Sequence, residues 1–387
     1  MKLIRFYGGR GLRIVKAKDQ YVWDVSGRKY LDAHTCHGVA FLGHSNEYVI
    51  KAIEEQLRSV DVASPSFDVD VRDEAIEALS KVVPSRLGNV ALLNSGSEAV
   101  EFALKLARRV TGRKVFVAFT GSFHGRTFGA LSITWNPRYR EPFKPLLSDV
   151  RFCKFNDVND IDECIKEDVA AVIMELIQGE GGVNVANKSF VKAVEERVHE
   201  VGALLIIDEV QTGFGRTGKV WAIQHYGVEP DIMTAGKALG GGFPVSAVFT
   251  TDEVASKLVQ GDHGSTYGGN PLACAAIKAA TYVLRKFDVP SKSLTKGNEF
   301  ISSLKDLAKD LKIVRDVRGL GLMIGAELRV RPSKVLKCMQ DKGVLALKAG
   351  ATVVRFLPPY MISSDDIRWC LDAFRECVEG VSKGINY

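Results

Sequence analysis

Four short stretches of the sequence carry residue types that could do chemistry. In "TAGKALGGGFP", residues 234–244, Lys237 is walled in by alanine and glycine and follows the apolar "IM". A lysine so placed loses solvation, its pKa falls, and its amine becomes a nucleophile able to form a Schiff base with a carbonyl; a surface lysine is the plainer alternative. Asp208 closes the apolar run "ALLIID". Ligands of open parallel sheets sit outside the C-terminal ends of the strands, so this acid is a candidate ligand contact, or else a helix cap or turn residue. In "NSGSEAVEFALK", residues 94–105, Ser95 and Glu98 fit an S-x-x-E capping box. Gly96 and Ser97 would then offer N–H groups and a hydroxyl to a phosphate at a helix N-terminus. In "GSFHGRTFG", residues 121–129, Phe123 could stack on a planar ligand and Arg126 could bind a carboxylate, unless the segment is a plain loop.

One further stretch looks like a nucleotide site and fails as one. "DEVQTGFGRTGK", residues 208–219, contains G-x-G-x-x-G at Gly213, Gly215 and Gly218 and G-x-x-x-x-G-K ending at Lys219. A dinucleotide fingerprint needs its first glycine almost directly after the strand, whereas Asp208 to Thr212 intervene here. A phosphate-binding Walker loop needs Ser or Thr after its lysine, and this chain has Val220.

The elements that must position these residues follow from periodicity. From residue 85 to 250, apolar runs alternate with amphipathic stretches, predicting parallel strands with crossover helices: "NVALL", "KVFVAF", "VAAVIMEL", "ALLIID" and "SAVFTT" with helices over "SEAVEFALKLARRVTG" and "SFVKAVEERVHEVG". The candidate residues then share one edge of one sheet. Residues 10–32 read as a hairpin turning at Ser26-Gly27, and residues 313–387 mix strands with amphipathic helices. The expected organisation is an α/β large unit over 46–285 and a smaller α+β unit over 286–387, joined by the N-terminal segment 1–45.

Composition sets outer bounds. With 46% hydrophobic and 25% charged residues the chain has globular composition. No apolar run reaches the roughly 18 residues needed to span a bilayer, and "MKLIRFYGGRG" has no extended apolar region, so a cytoplasmic protein without membrane association is expected. The cysteines, at 36, 153, 164, 274, 338, 370 and 377, are odd in number and scattered, which argues against a disulfide framework and a zinc knuckle. His34, Cys36, His37 and His44 offer side chains that could ligate a metal, but no metal site is expected. Lys2, Arg5, Arg10, Arg13, Lys16 and Lys18 all precede the first acid, Asp19. This basic run is either a solvated edge or a docking surface for an acidic partner. No nucleic-acid-binding pattern accompanies it.

Together the four stretches supply a phosphate cradle, an aromatic face, an acid and a lysine, the set that pyridoxal 5'-phosphate requires. Over nearly its whole length the sequence resembles the class III aminotransferases of fold type I, in the acetylornithine and ornithine branch. The resemblance rests on "NSGSEA", "SFHGRT", "IQGEGG", "IIDEVQTGFGRTG", "AGKALGGGFP", "GSTYGGNPLACAA" and "VRGLGLMIG" in this order. It implies a large domain with a mainly parallel seven-stranded sheet, and a homodimer with shared active sites. It also implies that Lys237 is the Schiff-base lysine and proton carrier, that Asp208 pairs with the pyridine nitrogen and that Gln211 contacts the 3-hydroxyl, within a cofactor-binding run that includes Glu209 and Val210. Gly96 and Ser97 would bind the phosphate, Phe123 would stack on the ring, and Thr266 would reach the phosphate of the neighbouring subunit. Arg126 and Ser265 would hold the amino substrate, Arg355 the α-carboxylate of 2-oxoglutarate, and Glu180 would gate Arg355. Within the family the chain is most like the branch that moves a distal amino group between glutamate and lysine or ornithine semialdehydes linked to a small acidic amino-group carrier protein, in lysine and arginine biosynthesis. The alternative is an aminotransferase acting on free acetylornithine, ornithine or 4-aminobutyrate. The segment "AHTCHGVAFLGH" departs from the usual acetylornithine pattern, at what the resemblance implies is the substrate entrance.

Overall fold

In a computed structural model, which describes residues 1–384, the alternating pattern becomes a seven-stranded sheet. Its order is Asn89–Leu93, Ser246–Thr250, Ile232–Ala235, Leu204–Asp208, Val169–Met174, Val115–Phe119, Val150–Cys153. Only Ser246–Thr250 runs antiparallel to its neighbours. Strands covered on both faces read as unbroken apolar runs, and Val169–Met174 is buried at every residue. Two strands were absent from the sequence reading. Val150–Cys153 is a half-buried edge strand containing Arg151, and Ile232–Ala235 is too short to carry a pattern.

The helix Gly96–Thr111 buries Ala99, Val100, Ala103, Leu106 and Ala107, a spacing that puts one apolar stripe on the sheet. Gly112, left-handed at φ 67°, ends it and donates its N–H to Arg108 O. The capping box is only half realised: Ser95 Oγ accepts Glu98 N–H, but the Glu98 carboxylate reaches back to Asn94 N–H rather than to Ser95.

The N-terminal segment forms three antiparallel strands, Ile14–Lys18, Tyr21–Asp24 and Lys29–Asp32, where one hairpin was expected. Ser26-Gly27 lies between the second and third. Val344–Leu345 extends this sheet, parallel to Lys29–Asp32. A separate four-stranded sheet, ordered Val314–Leu320, Met323–Leu328, Val353–Phe356, Leu347–Ala349, lies under the helices Val289–Asp310 and Ser364–Ser382. Residues 385–387 of the expected C-terminal unit lie outside the described residues.

The glycine loop turns out to be a clasp. Arg216, 1% exposed, donates to Leu322 O and Pro358 O through Nη1 and to Gly38 O through Nη2, and its guanidinium lies over the Phe41 ring. These carbonyls belong to the N-terminal and C-terminal parts of the chain, so the loop ties both to the large sheet. The cysteine expectation needs correction: Cys338 and Cys377 form a disulfide between the helices Ser333–Asp341 and Ser364–Ser382. Packing of two helices brings them together, which a scattered spacing in sequence does not reveal. Among the described residues, no helix is long and apolar enough to cross a membrane.

Candidate active site

At the C-terminal edge of the large sheet lies a cavity of about 200 Å³. Its wall includes Gly96, Ser97, Phe123, Glu180, Asp208, Val210, Gln211 and Lys237, eight residues singled out in the sequence. The strand order explains the convergence, since Leu93, Phe119, Met174, Asp208 and Ala235 all end parallel strands at this edge.

Asp208 is 5% exposed and fully engaged. Its Oδ1 accepts Val210 N–H at 3.0 Å and the Thr234 hydroxyl at 3.1 Å, and its Oδ2 lies 2.8 Å from His124 Nδ1. Lys237 follows the strand Ile232–Ala235 and has φ 47°, a left-handed backbone that a lysine adopts only where its surroundings fix it. Burial lowers its pKa, against the opposing pull of Asp208 and Glu180. An amine so placed is a better nucleophile and proton carrier near neutral pH than an exposed lysine.

Two residues of this floor escaped the sequence reading. His124 was passed over between Phe123 and Arg126, yet its buried ring orients Asp208, and its Nε2 has no partner among the described residues. Glu175 directly follows the apolar strand Val169–Met174 within "VAAVIMEL", much as Asp208 ends "ALLIID", the signal that would have found it. Its carboxylate accepts Phe123 N–H at 2.9 Å and Gly179 N–H at 3.1 Å, and burial pushes its pKa up to about 7.

Above the floor, Arg355 Nη2 lies 2.5 Å from Glu180 Oε1. Burial alone would raise the Glu180 carboxyl, but the charge and hydrogen bond of Arg355, with His37 close by, outweigh it and hold the group well below the usual carboxylate range. Gln211 accepts from Arg355 Nη1 and donates to His37 O.

Other expected site residues stand apart. The Glu209 side chain turns away from the cavity to accept Ile223 N–H and the Thr212 hydroxyl. Arg126 is exposed, with its guanidinium over Tyr139 and Phe123. Ser265 bonds Asn94 Nδ2, and Thr266 is exposed and off this cavity. Of the four residues weighed as a metal site, His44 bonds Asp32, His34 meets His37 edge to face, and Cys36 is exposed.

A seven-stranded sheet with a lysine and a fixed carboxylate at its ligand edge defines a pyridoxal-phosphate-dependent transaminase of the α/β type. The chain belongs to the family Aminotransferase class-III, which matches residues 8–378. It is 57% identical, over 97% of each chain, to the LysW-aminoadipate semialdehyde/glutamate semialdehyde transaminase of Sulfurisphaera tokodaii. It is 41% identical to the acetylornithine aminotransferase of Archaeoglobus fulgidus, covering 94% of this chain and 95% of that one. Among solved structures, the ornithine aminotransferase of Toxoplasma gondii, with pyridoxal phosphate at partial occupancy in its active site, superposes with a TM-score of 0.93 at 30% identity, covering 99% of this chain and 93% of the other.

The residues present fit the cofactor. The N–H groups of Gly96 and Ser97 open a 16-residue helix and make no hydrogen bond within the described chain. A side chain at residue 96 would strike Val210 at 2.8 Å, and one at Gly125 would strike Ser97 Oγ at 2.3 Å, so both glycines keep space at the cradle. The orphaned His124 Nε2 supplies an unused polar atom in the same wall.

Proposed function

We propose that this transaminase moves a distal amino group between glutamate and a semialdehyde carried on a small acidic carrier protein, in lysine and arginine biosynthesis. The observation that carries this reading is the 57% identity, over almost all of both chains, to a transaminase named for LysW-linked semialdehydes. The basic N-terminal run supports it. Arg10 bonds Ala346 O, Lys18 pairs with Glu47 and Lys16 lies over Trp23, but Lys2, Arg5 and Arg13 make no ion pair among the described residues. Tyr7, on the same arm, packs at a tilt against His37 at the cavity rim. The arm that carries this charge thus reaches the entrance, and its positive charge would draw in an acidic carrier.

Pyridoxal phosphate supplies an electron sink that makes the carbon bearing the amino group acidic. Lys237 Nζ would provide the amine that holds the cofactor and would serve as the proton carrier. The Asp208 carboxylate, oriented by His124, would hold a proton on the ring nitrogen. Gly96 and Ser97 would hold the phosphate, and Phe123 and Val210, which line the same cavity, would flank the ring. Thr266, exposed on this chain, reaches the neighbouring subunit of a homodimer, for which exposed Phe67 and Tyr267 offer apolar surface.

One pocket must accept a distal amine in one half-reaction and a dicarboxylate in the other. Glu180 covers Arg355 for the first and leaves it for the second, while Arg126 and Ser265 hold the amino substrate outside. The test is single-turnover spectroscopy of the cofactor-loaded dimer with carrier-linked lysine, carrier-linked ornithine, N-acetylornithine and free ornithine. Carrier-linked substrates are expected to react at least about tenfold faster, as charge-steered encounters do. Equal rates with N-acetylornithine would reassign the enzyme to free small molecules.

A further inference from the structure

The rim of the cavity closes into a ring of four contacts. Glu180 Oε1 lies 2.5 Å from Arg355 Nη2 and 3.6 Å from His37 Nδ1. Arg355 Nη1 donates to Gln211 Oε1 at 3.1 Å, and Gln211 Nε2 donates to His37 O at 3.3 Å. One oxygen of Glu180 therefore faces two partners, the first at full ion-pair contact and the second a small movement away.

The loop that brings His37 here is held against its own preference. Thr35, Cys36 and His37 have φ 44°, 51° and 58°, three successive left-handed residues without a glycine among them. Contacts from outside the run fix it: Asp32 Oδ1 accepts His34 N–H at 2.9 Å and Thr35 N–H at 2.8 Å, and the Thr35 hydroxyl donates to Leu357 O at 2.6 Å. The His37 ring then packs between His34 and Tyr7, with centroids at 4.9 and 5.6 Å. This is the segment "AHTCHGVAFLGH" whose sequence departs from the acetylornithine pattern.

We infer that His37 is the second seat of Glu180. When a substrate carboxylate takes Arg355, Glu180 swings to His37 Nδ1, and the displaced anion keeps a hydrogen-bond donor at the cavity rim. Without that seat, the incoming carboxylate would strand a half-buried carboxylate beside it, a cost charged against dicarboxylate binding alone. His37 is a positioning residue acting through Glu180, and the inference rests on the reading of Glu180 and Arg355 given above.

Calorimetric titration of the holoenzyme with glutarate, an unreactive dicarboxylate, tests it. Glu180→Gln is expected to tighten glutarate binding by freeing Arg355. His37→Leu is expected to weaken it about tenfold, the scale of a lost hydrogen bond to a charged group. His37→Asn, which keeps a donor near the Nδ1 position and tolerates left-handed backbone, is expected to restore it to within about twofold. In the Glu180→Gln background, His37→Leu is expected to add nothing. If Glu180→Gln tightens glutarate while His37→Leu binds it like the wild type, the second seat does not exist, although the gate stands. Equal weakening by His37→Leu in both backgrounds, or no recovery with asparagine, would reduce His37 to a structural part and overturn the inference. If Glu180→Gln leaves glutarate binding unchanged, the gate reading fails and the second seat fails with it.

Discussion

The floor and the rim of the cavity treat their carboxylates in opposite ways. Asp208 on the floor takes hydrogen bonds from a backbone N–H, a hydroxyl and an imidazole, so that neither oxygen is free to turn. Glu180 on the rim presents one oxygen to two cations or donors on different segments, one of them 3.6 Å away and beyond hydrogen-bond reach. The floor comes from consecutive strand ends of one sheet. The rim is assembled from an N-terminal loop, the Gly-rich turn at 179–182 and the strand Val353–Phe356, which lie far apart in the chain. A group that must sit at one atom throughout a reaction is best held by many short bonds. A group that must change partners is best held by few.

This contrast can be broken at several points. The largest effect is expected at Lys237→Ala, which should lower turnover by on the order of 10⁴-fold or more in both half-reactions, because nucleophile and proton carrier go together. Cofactor that stays on the chain after borohydride reduction and denaturation of the wild type, and not of the variant, checks that Lys237 is the attachment point. Turnover surviving in the variant would remove Lys237 from the chemistry. A smaller effect is expected at His124→Phe, which takes one bond from Asp208: both half-reactions should slow together, by roughly 10- to 100-fold. Rapid-mixing spectra measure the two halves separately. If His124→Phe slowed only the dicarboxylate half, the floor would be behaving like the rim, and the contrast would fail.

The difference between floor and rim also sets how much of the site could be read from sequence. Asp208 closes an apolar run, and Lys237, Gly96, Ser97 and Phe123 each stand within four residues of the end of one, so strand prediction alone brings them to one edge, where the cavity lies. Glu175 carries the same signal. The partners that orient them are less legible: nothing local distinguishes His124 from any loop histidine, because its role depends on Asp208, 84 residues on. The pairing of Glu180 with Arg355 came through family resemblance, since no periodicity relates residues 175 positions apart. Arg216 was hidden by its own loop, whose glycines advertise a phosphate site while the arginine among them binds three carbonyls.

Glu209 offers the finest division, because it adjoins Asp208 in sequence yet belongs to neither floor nor rim. It is 1% exposed and turned toward Ile223 N–H, and burial raises its pKa to about 7 from an ordinary value of 4.5. Between those two values the folded protein holds a proton that the unfolded chain has released. The linked stability is therefore complete below about pH 4.5 and is lost as pH rises through about 7. Glu175 contributes in the same direction, but it lines the cavity, so its proton also answers to whatever binds there. Glu209→Gln keeps an acceptor for Ile223 N–H and removes the titration. Thermal denaturation from about pH 5 to pH 8 should then show a flatter decline in Tm than the wild type, while the Kd for pyridoxal phosphate changes by no more than about twofold, as for a group without ligand contact. An unchanged Tm profile would mean that Glu209 is ionised in the fold at neutral pH. A large loss of cofactor affinity would return Glu209 to the cofactor-binding run in which the sequence had placed it.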